Sequence, residues 1–328
     1  MIKAGLLGLG TIGKVHLDAY KKLKEENGNT ILEACFDITD TNLEGVEGVR
    51  KYTNLDEFFE NEKGRLDYID ICLPTFLHKE VSAKAMQYGF NVLCEKPMAL
   101  SSEDTKKMCE ASEKTGKTLM IAQVLRFSYH FSIINDYIKN ETLGKIKSVK
   151  YTNYIGGLPS GQNGWFHDKK LSGGAIFDFH VHDVDLFTWY FGKPETLSTI
   201  GTPDSFSTNL IYNDNFYLNF QCDFASVGNK HDGGRCMRMN FENGYIIKDN
   251  EKFIAVDREG NEKNLAEEKA VVDSYSDDMY YKEIKYFSEC IKNNKPVSFC
   301  PPEESAFAIE YVEAEIESAK NNGKIIIF

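Results

Sequence analysis

Over the first 120 residues, short unbroken apolar runs alternate with amphipathic stretches. Ile2–Gly8, Thr30–Phe36, Tyr68–Leu73, Asn91–Cys94 and Thr118–Ile121 read as strands, with helices such as Gly13–Glu26 and Ser102–Thr115 between them. The second of these helices opens on Ser101-Ser102-Glu103-Asp104, hydroxyls and acids that answer the free amides of a helix N-terminus. Strands that are apolar throughout, without polar alternation, are covered on both faces. The pattern therefore predicts a parallel, doubly wound α/β domain over residues 1–122.

From about residue 123 the rhythm changes. A helix near Phe131–Asn140, a strand at Ile146–Tyr154 and a loop rich in glycine (Gly156, Gly157, Gly161, Gly164) lead to an apolar helix near 177–191. Strand signals then crowd together: Leu197–Ile200, Ser207–Tyr212, Phe216–Phe224, Arg235–Phe241, Tyr245–Lys248 and Lys252–Val256. Turn residues such as Asn213-Asp214-Asn215 and Glu242-Asn243-Gly244 separate them. With no helices between, successive strands pair antiparallel. Helices near Ser276–Asn293 and Glu303–Asn321 precede a last strand, Lys324–Phe328. Residues 123–328 are thus expected to form an α+β domain with an open, mainly antiparallel sheet.

Composition narrows the function classes. With 328 residues, two domains with sizeable cores are expected. The 38 Lys and Arg against 50 Asp and Glu give a net charge of −12, which would repel a phosphate backbone, so no nucleic-acid partner is expected. No apolar run approaches 18 residues and no leader pattern opens the chain, so a cytoplasmic protein without a membrane partner is expected. The eight cysteines never form CxxC and lie mostly in apolar runs, which argues against a metal site or a disulfide framework.

Gly8-Leu9-Gly10-Thr11-Ile12-Gly13 follows a predicted strand and opens a predicted helix, where glycines let backbone amides approach a pyrophosphate. The next strand ends in Asp37, 24 residues beyond Gly13, where such folds hydrogen-bond an adenosine ribose. Ile38 and Thr39 follow it, with no base to neutralise a 2′-phosphate, so the expected cofactor is NAD rather than NADP. Pro74-Thr75-Phe76-Leu77-His78 and Cys94-Glu95-Lys96-Pro97 end later strands at the carboxyl edge of the sheet, which makes Pro74, Thr75, His78, Glu95 and Lys96 further cofactor candidates. Downstream, Asp178 and His182 are spaced i and i+4 on an apolar helix, so Asp178 can orient or polarise His182, while His180 points roughly opposite. Arg126, Tyr154, Trp165 and His167 are candidates for the substrate pocket, as are Thr75 and His78, and each could equally be a packing residue.

Taken in order, GLGTIG, CEKP, the LRF of residues 125–127 and SGGAIFDFHVHDVD resemble the Gfo/Idh/MocA oxidoreductase family over essentially the whole chain. The resemblance implies a Rossmann domain and a C-terminal sheet whose exposed face makes a homodimer or homotetramer. It also implies hydride transfer on sugars or polyols. Gly8, Gly10, Gly13 and Asp37 match cofactor positions, and Lys96, Asp178 and His182 match the catalytic lysine, aspartate and histidine of inositol-dehydrogenase-like members. Arg126 falls in a variable segment that faces substrate in some members. His180 stands where the family pattern usually has glycine, and Ser128-Tyr129-His130 follows RF where proline is common. The leading expectation is an NAD-dependent dehydrogenase acting on a secondary hydroxyl of a sugar or cyclic polyol. The rivals are an NAD-using glycosidase working by transient oxidation and elimination, and a non-catalytic dinucleotide-binding regulator.

Overall fold

The computed structural model describes residues 1–26, 29–155, 162–213, 216–224, 234–267 and 278–328. The predicted glycines 156, 157 and 161 and the turn residues Asp214 and Asn215 lie outside them.

Six parallel strands form the first sheet: β1 (Ile2–Leu7), β2 (Thr30–Phe36), β3 (Arg50–Tyr52), β4 (Tyr68–Ile71), β5 (Asn91–Glu95) and β6 (Leu119–Ala122), in the order β3-β2-β1-β4-β5-β6. This is the doubly wound order, whose reversal between β1 and β4 opens a crevice at the carboxyl ends of the strands. The apolar runs do what continuous apolar strands must. Leu6, Leu7, Ile69, Ile71, Val92 and Leu93 are buried under helices on both faces. The short edge strand β3, Arg-Lys-Tyr, has no apolar signature and is a strand that the sequence pattern did not announce.

The chain divides into two units. The first takes Met1–Phe127 together with Ser276–Ile309, and the second takes Ser128–Tyr275 together with Glu310–Phe328. A single cut after residue 122 therefore does not describe the packing. The helix Met279–Lys292 returns to the first unit, where Tyr281, Ile284 and Phe287 join a core with Ala19, Tyr20 and Leu23 of the helix Thr11–Glu25. Their i, i+3, i+6 spacing places them on one face.

The second unit holds a nine-stranded sheet of β7 (Ile146–Tyr154), β8 (Thr196–Thr202), β9 (Ser205–Ile211), β10 (Tyr217–Asp223), β11 (Gly234–Phe241), β12 (Gly244–Lys248), β13 (Phe253–Asp257), β14 (Glu262–Asn264) and β15 (Ile326–Ile327). Their order is β14-β13-β12-β11-β7-β10-β9-β8-β15. Every pair is antiparallel except β7 with β10. Burial alternates strictly along the central strands. Val149, Tyr151 and Asn153 of β7 face inward, as do Leu218, Phe220 and Cys222 of β10. The opposite face carries Lys150, Asn209, Tyr217 and Gln221. Among the described residues no helix is long and apolar enough to cross a membrane.

Candidate active site

In the first unit two of the three glycines of the motif are required by the fold itself. Gly8 has φ +89°, and a Cβ there would lie 2.6 Å from the Cys72 carbonyl oxygen; a Cβ on Gly13 would lie 1.9 Å from the Gly8 oxygen. A Cβ on Gly10 would meet nothing within 4 Å, so that position faces open space. The helix Thr11–Glu25 begins after Gly10 with no side-chain cap and no acid in its first turn. Its first amides are therefore available to a pyrophosphate, as a dinucleotide site requires. Asp37 is buried at the end of β2. Its Oδ2 accepts from the Leu9 amide at 2.8 Å and its Oδ1 from the Thr39 amide at 2.8 Å. The carboxylate thus fastens the glycine turn to the neighbouring strand and retains lone pairs for a ribose diol. Thr11 is exposed and Ile12 half-buried. These residues fit NAD.

Beneath this turn lies a buried chain of polar groups that pattern reading missed. His16 is fully buried on the same helix, with Nδ1 at 2.9 Å from Asp70 Oδ2 and Nε2 at 3.1 Å from Glu95 Oε1. Asp70 also accepts from the Tyr20 hydroxyl at 2.9 Å. Glu95 Oε2 accepts the backbone amide of Lys96 at 3.0 Å. Burial is the largest single influence and pulls the His16 pKa down, but the charge and hydrogen bonding of Asp70 and Cys72 together outweigh it and hold the pKa well above the ordinary value. An imidazolium between two carboxylates therefore links the dinucleotide helix, β4 and β5 to the lysine that follows β5. The buried Glu283, on the helix Met279–Lys292, is close enough to share this cluster. Only a three-dimensional contact reveals it, since the acids lie 54 and 79 residues from His16.

Lys96 is half-buried, directly after β5. Pro74 is half-buried and Thr75 buried at the turn beyond β4. His78 is 1% exposed, with Nδ1 at 2.9 Å from the Pro97 carbonyl oxygen and Nε2 at 2.8 Å from that of Leu73. Both ring nitrogens thus face backbone carbonyls, and burial lowers the pKa, so the neutral ring donates to one of the two. The expected cofactor contact is replaced by a brace that ties the loop after β4 to the segment carrying Lys96. Glu95 likewise acts inward rather than toward a ligand, because its two oxygens serve His16 and the Lys96 amide. Arg126 also departs from expectation. Its side chain is 1% exposed, and Nη1 donates to the Phe299 carbonyl at 2.8 Å and to Glu304 Oε2 at 2.6 Å. It braces the returning segment of the first unit instead of lining a pocket.

In the second unit Gly173 and Gly174, both at positive φ, lead into a π-helical turn, Ile176–His180, which continues as the α-helix Val181–Phe191. Asp178 is buried in the wide turn and His182 is half-buried in the regular helix. The i, i+4 geometry of an unbroken α-helix is therefore modified here, and π-turns are frequent at functional sites. His180 does point away from the surface, but into a dense polar cluster. Its Nδ1 is 3.2 Å from Asp183 Oδ2 and 3.6 Å from Cys222 Sγ, and its Nε2 is 3.0 Å from Glu315 Oε2. Burial is the largest single influence and opposes its charge, but Glu315, Cys222 and Asp183 together override this and raise the pKa well above the ordinary value. Asp183 accepts from Tyr151 Oη at 2.5 Å, Asn153 Nδ2 at 2.7 Å and Arg235 Nε at 2.7 Å. Burial penalises its charge, but Arg235 and His180 keep it ionised, well below the usual carboxylate range.

Tyr154 is corrected by strand parity. It follows inward Asn153 and so lies on the outer face of the sheet, beside Ile200, Ser207 and Gln221. The helix that carries His182 packs on the other face, through Asp183 to Tyr151 and Asn153. Trp165 is half-buried and His167 exposed in the turn Gln162–His167.

Residues 2–123 match the family described as an oxidoreductase family with an NAD-binding Rossmann fold, and residues 131–247 match the same family's C-terminal domain. The chain belongs to the Gfo/Idh/MocA oxidoreductase family. Its first domain is an NAD-binding Rossmann domain, and its relatives include sugar and polyol dehydrogenases. It is 29% identical over 204 residues to glucose-6-phosphate 3-dehydrogenase of Bacillus subtilis (strain 168), covering 60% of this chain and 56% of that protein. It is 26% identical over 196 residues to myo-inositol 2-dehydrogenase of Thermotoga maritima, covering 58% and 55%. The matches thus span about half the length of these curated relatives. The solved structure of levoglucosan dehydrogenase with NADH shares the Gfo/Idh/MocA fold with a TM-score of 0.85 at 16% identity, covering 99% of this chain and 98% of the other.

Proposed function

We propose that this family member is an NAD-dependent dehydrogenase acting reversibly on a secondary hydroxyl of a sugar or cyclic polyol. The observation that carries the reading is the set Lys96, Asp178 and His182. Lys96 is half-buried at the carboxyl end of β5, and the other two are held on a helix that opens in a π-turn. A protein that only sensed the dinucleotide would need none of the three. Bound NAD supplies the hydride acceptor. His182 takes the hydroxyl proton as the carbon gives up hydride, and returns it in the reverse direction. Lys96 donates a hydrogen bond to the reacting oxygen and stabilises the negative charge that develops on it. Asp178, in the turn that leads into the same helix, fixes the imidazole tautomer or holds an adjacent hydroxyl of the substrate. Trp165 and His167 are retained as candidate substrate contacts, and Gly8, Gly10, Gly13 and Asp37 as the dinucleotide site.

The test is NADH formation by the purified chain on a panel of inositols, aldoses and ketoses, with His182→Asn and Lys96→Met beside it. Substrate-dependent NADH is expected. His182→Asn should lower kcat by about 10²–10⁴-fold, and Lys96→Met by about 10²-fold with little change in NAD affinity. Glycoside cleavage without net NADH would replace this reading with the elimination chemistry, and NAD binding without either reaction would replace it with a regulator.

We also propose a cytoplasmic homodimer or homotetramer formed through the outer sheet face. Ile200, Ile211 and Tyr217 are 60%, 48% and 55% exposed there, and Tyr217 pairs directly with Ile211. Exposed apolar side chains on a flat sheet are what association would cover. Light scattering after size exclusion, with Tyr217→Lys as the disrupting variant, tests this. A monomeric wild-type chain refutes it.

A further inference from the structure

We propose that Arg235 and Lys248, on the inner face of the second sheet, recognise an oxyanion, the phosphate or carboxylate of an acidic sugar; this deepens the dehydrogenase reading and rests on it for the word sugar. The register sets the pair. Arg235 lies opposite Asn153 of β7, Met237 lies opposite Lys248 of β12, and Arg235 and Met237 share a face as i and i+2. Lys248 is therefore the diagonal neighbour of Arg235, with their Cα atoms about 7–8 Å apart. The face is the inner one, because Met237 and Met239 are buried and Asn153 bonds to Asp183.

Charge is the first reason to read this as a site. Asp183 takes Nε of Arg235 and no other carboxylate is paired with that guanidinium among the described residues, while the side chain remains 21% exposed. A guanidinium carries five N–H donors in a fork suited to a two-oxygen acceptor. Lys248 is half-buried with its ammonium 5.5 Å from the centre of the Phe131 ring, and no described carboxylate forms an ion pair with it. Asp249 beside it is occupied by the amides of Glu251 and Lys252. Burial lowers the Lys248 pKa; Cys236 and Asp249 act against this, and Arg235 acts with it. In the cluster behind, His180 and Arg235 face Asp183 and Glu315, while the carboxylate nearest Lys248, Asp249, acts on it without forming an ion pair.

The second reason is independent of charge. Asn153, fully buried, gives its amide nitrogen to Asp183 Oδ2, and this fixes which end is oxygen. Its Oδ1 has no hydrogen-bond partner. An unmet acceptor directly across the ladder from a forked donor matches a ligand that carries both a hydroxyl and an oxyanion. Asp183 also immediately follows His182, so this pair is tethered one residue from the proposed base.

The experiment uses the full chain loaded with NADH and three matched sets: glucose, galactose and mannose, each with its 6-phosphate and its uronate. Affinity is read by calorimetry and turnover by NADH formation with NAD. In at least one set the acidic sugar should bind at least about tenfold tighter than the neutral one, as a charge-assisted fork warrants. Whether the phosphate or the carboxylate gains identifies the source. Lys248→Met, which keeps the stem over Phe131, and Arg235→Gln should abolish that gain and change neutral-sugar affinity less than threefold; Arg235→Lys should restore part of it. NAD binding and melting temperature report whether each variant is folded. Equal affinity for neutral and acidic sugars in all sets, no binding of any acidic sugar, a gain that survives Lys248→Met, or equal loss for both classes overturns the site. Acidic sugars that bind through Arg235 and Lys248 but never yield NADH would leave the site standing and refute the dehydrogenase reading instead.

Discussion

Replacing His16 with glutamine tests the buried cluster that joins the dinucleotide helix to the lysine after β5. In the wild type the imidazolium stands between Asp70 and Glu95, both buried. Glutamine can reach one of them but brings no charge, so two carboxylates lose their counter-ion. Removing one partner of a buried ion pair costs about 3–5 kcal/mol. For a unit of this size about 1 kcal/mol corresponds to roughly 2–4 °C, so the melting temperature should fall by roughly 6–20 °C. The pH dependence follows from the direction of the shift. Because the folded pKa of His16 is raised, the folded chain keeps a proton that the unfolded chain releases above about pH 6.5. The stability this confers is complete below that pH and is lost as pH rises through the folded value.

Thermal unfolding followed by circular dichroism at several pH values between about 6 and 9 reads this directly. The gap between wild type and His16→Gln should be widest at the acid end and close toward the alkaline end. His180 is shifted in the same direction. The wild-type curve therefore contains both contributions, and only the difference between the proteins isolates His16. Asp70→Asn combined with His16→Gln should cost less than the sum of the two, because each removes the reason for the other. A gap below about 2 °C at the acid end, or one that grows with pH, would show that the folded protein holds His16 neutral and that the cluster is a hydrogen-bonded rather than an ionic brace.

Three further outcomes follow from the geometry. A phosphate charge about 4 Å from Asp37 is repelled by at most about 4 kcal/mol at an effective dielectric near 20, so kcat/KM should favour NAD over NADP at least about tenfold; equal values would contradict the ribose role given to Asp37. Arg126→Met should lower the melting temperature while leaving the KM for sugar unchanged, since the guanidinium is spent on Phe299 and Glu304; a raised KM at unchanged stability would restore it to the pocket. His180→Asn, at a residue the helical period turns away from Asp178 and His182, should destabilise the chain by about 3–5 kcal/mol because it strands Glu315, and chemical denaturation showing a loss under about 1 kcal/mol would refute the ionic reading of that cluster.

What the sequence made legible and what it did not divide along a physical line. The glycine motif, Asp37 and the strand ends were readable because local spacing places them: a turn, a helix start and a carboxyl edge follow from a few consecutive residues. The helix Met279–Lys292 was readable as a helix from Tyr281, Ile284 and Phe287, but amphipathicity does not say which core an apolar face will join. The role of Arg126 was unreadable for a related reason, since its acceptors lie 173 and 178 residues away. The π-turn escaped because helical-wheel reasoning assumes one period throughout, and a single wide turn changes the angle between Asp178 and His182.

Tyr154 is the instructive case, because the information needed was present. In β7, Val149 and Tyr151 are the residues a half-buried strand would turn inward, which forces Asn153 inward and Tyr154 outward. An aromatic near the end of a strand suggests a pocket wall, but strand parity takes precedence, because a strand cannot turn one side chain without a bulge. No register shift interrupts β7 between Ser148 and Tyr154 against β10. The same parity, carried across the ladder, turns Arg235 inward with Met237 and Met239. The polar residues facing the His182 helix are therefore those in step with the buried apolar ones, and Asn153 and Arg235 are the pair that this rule selects.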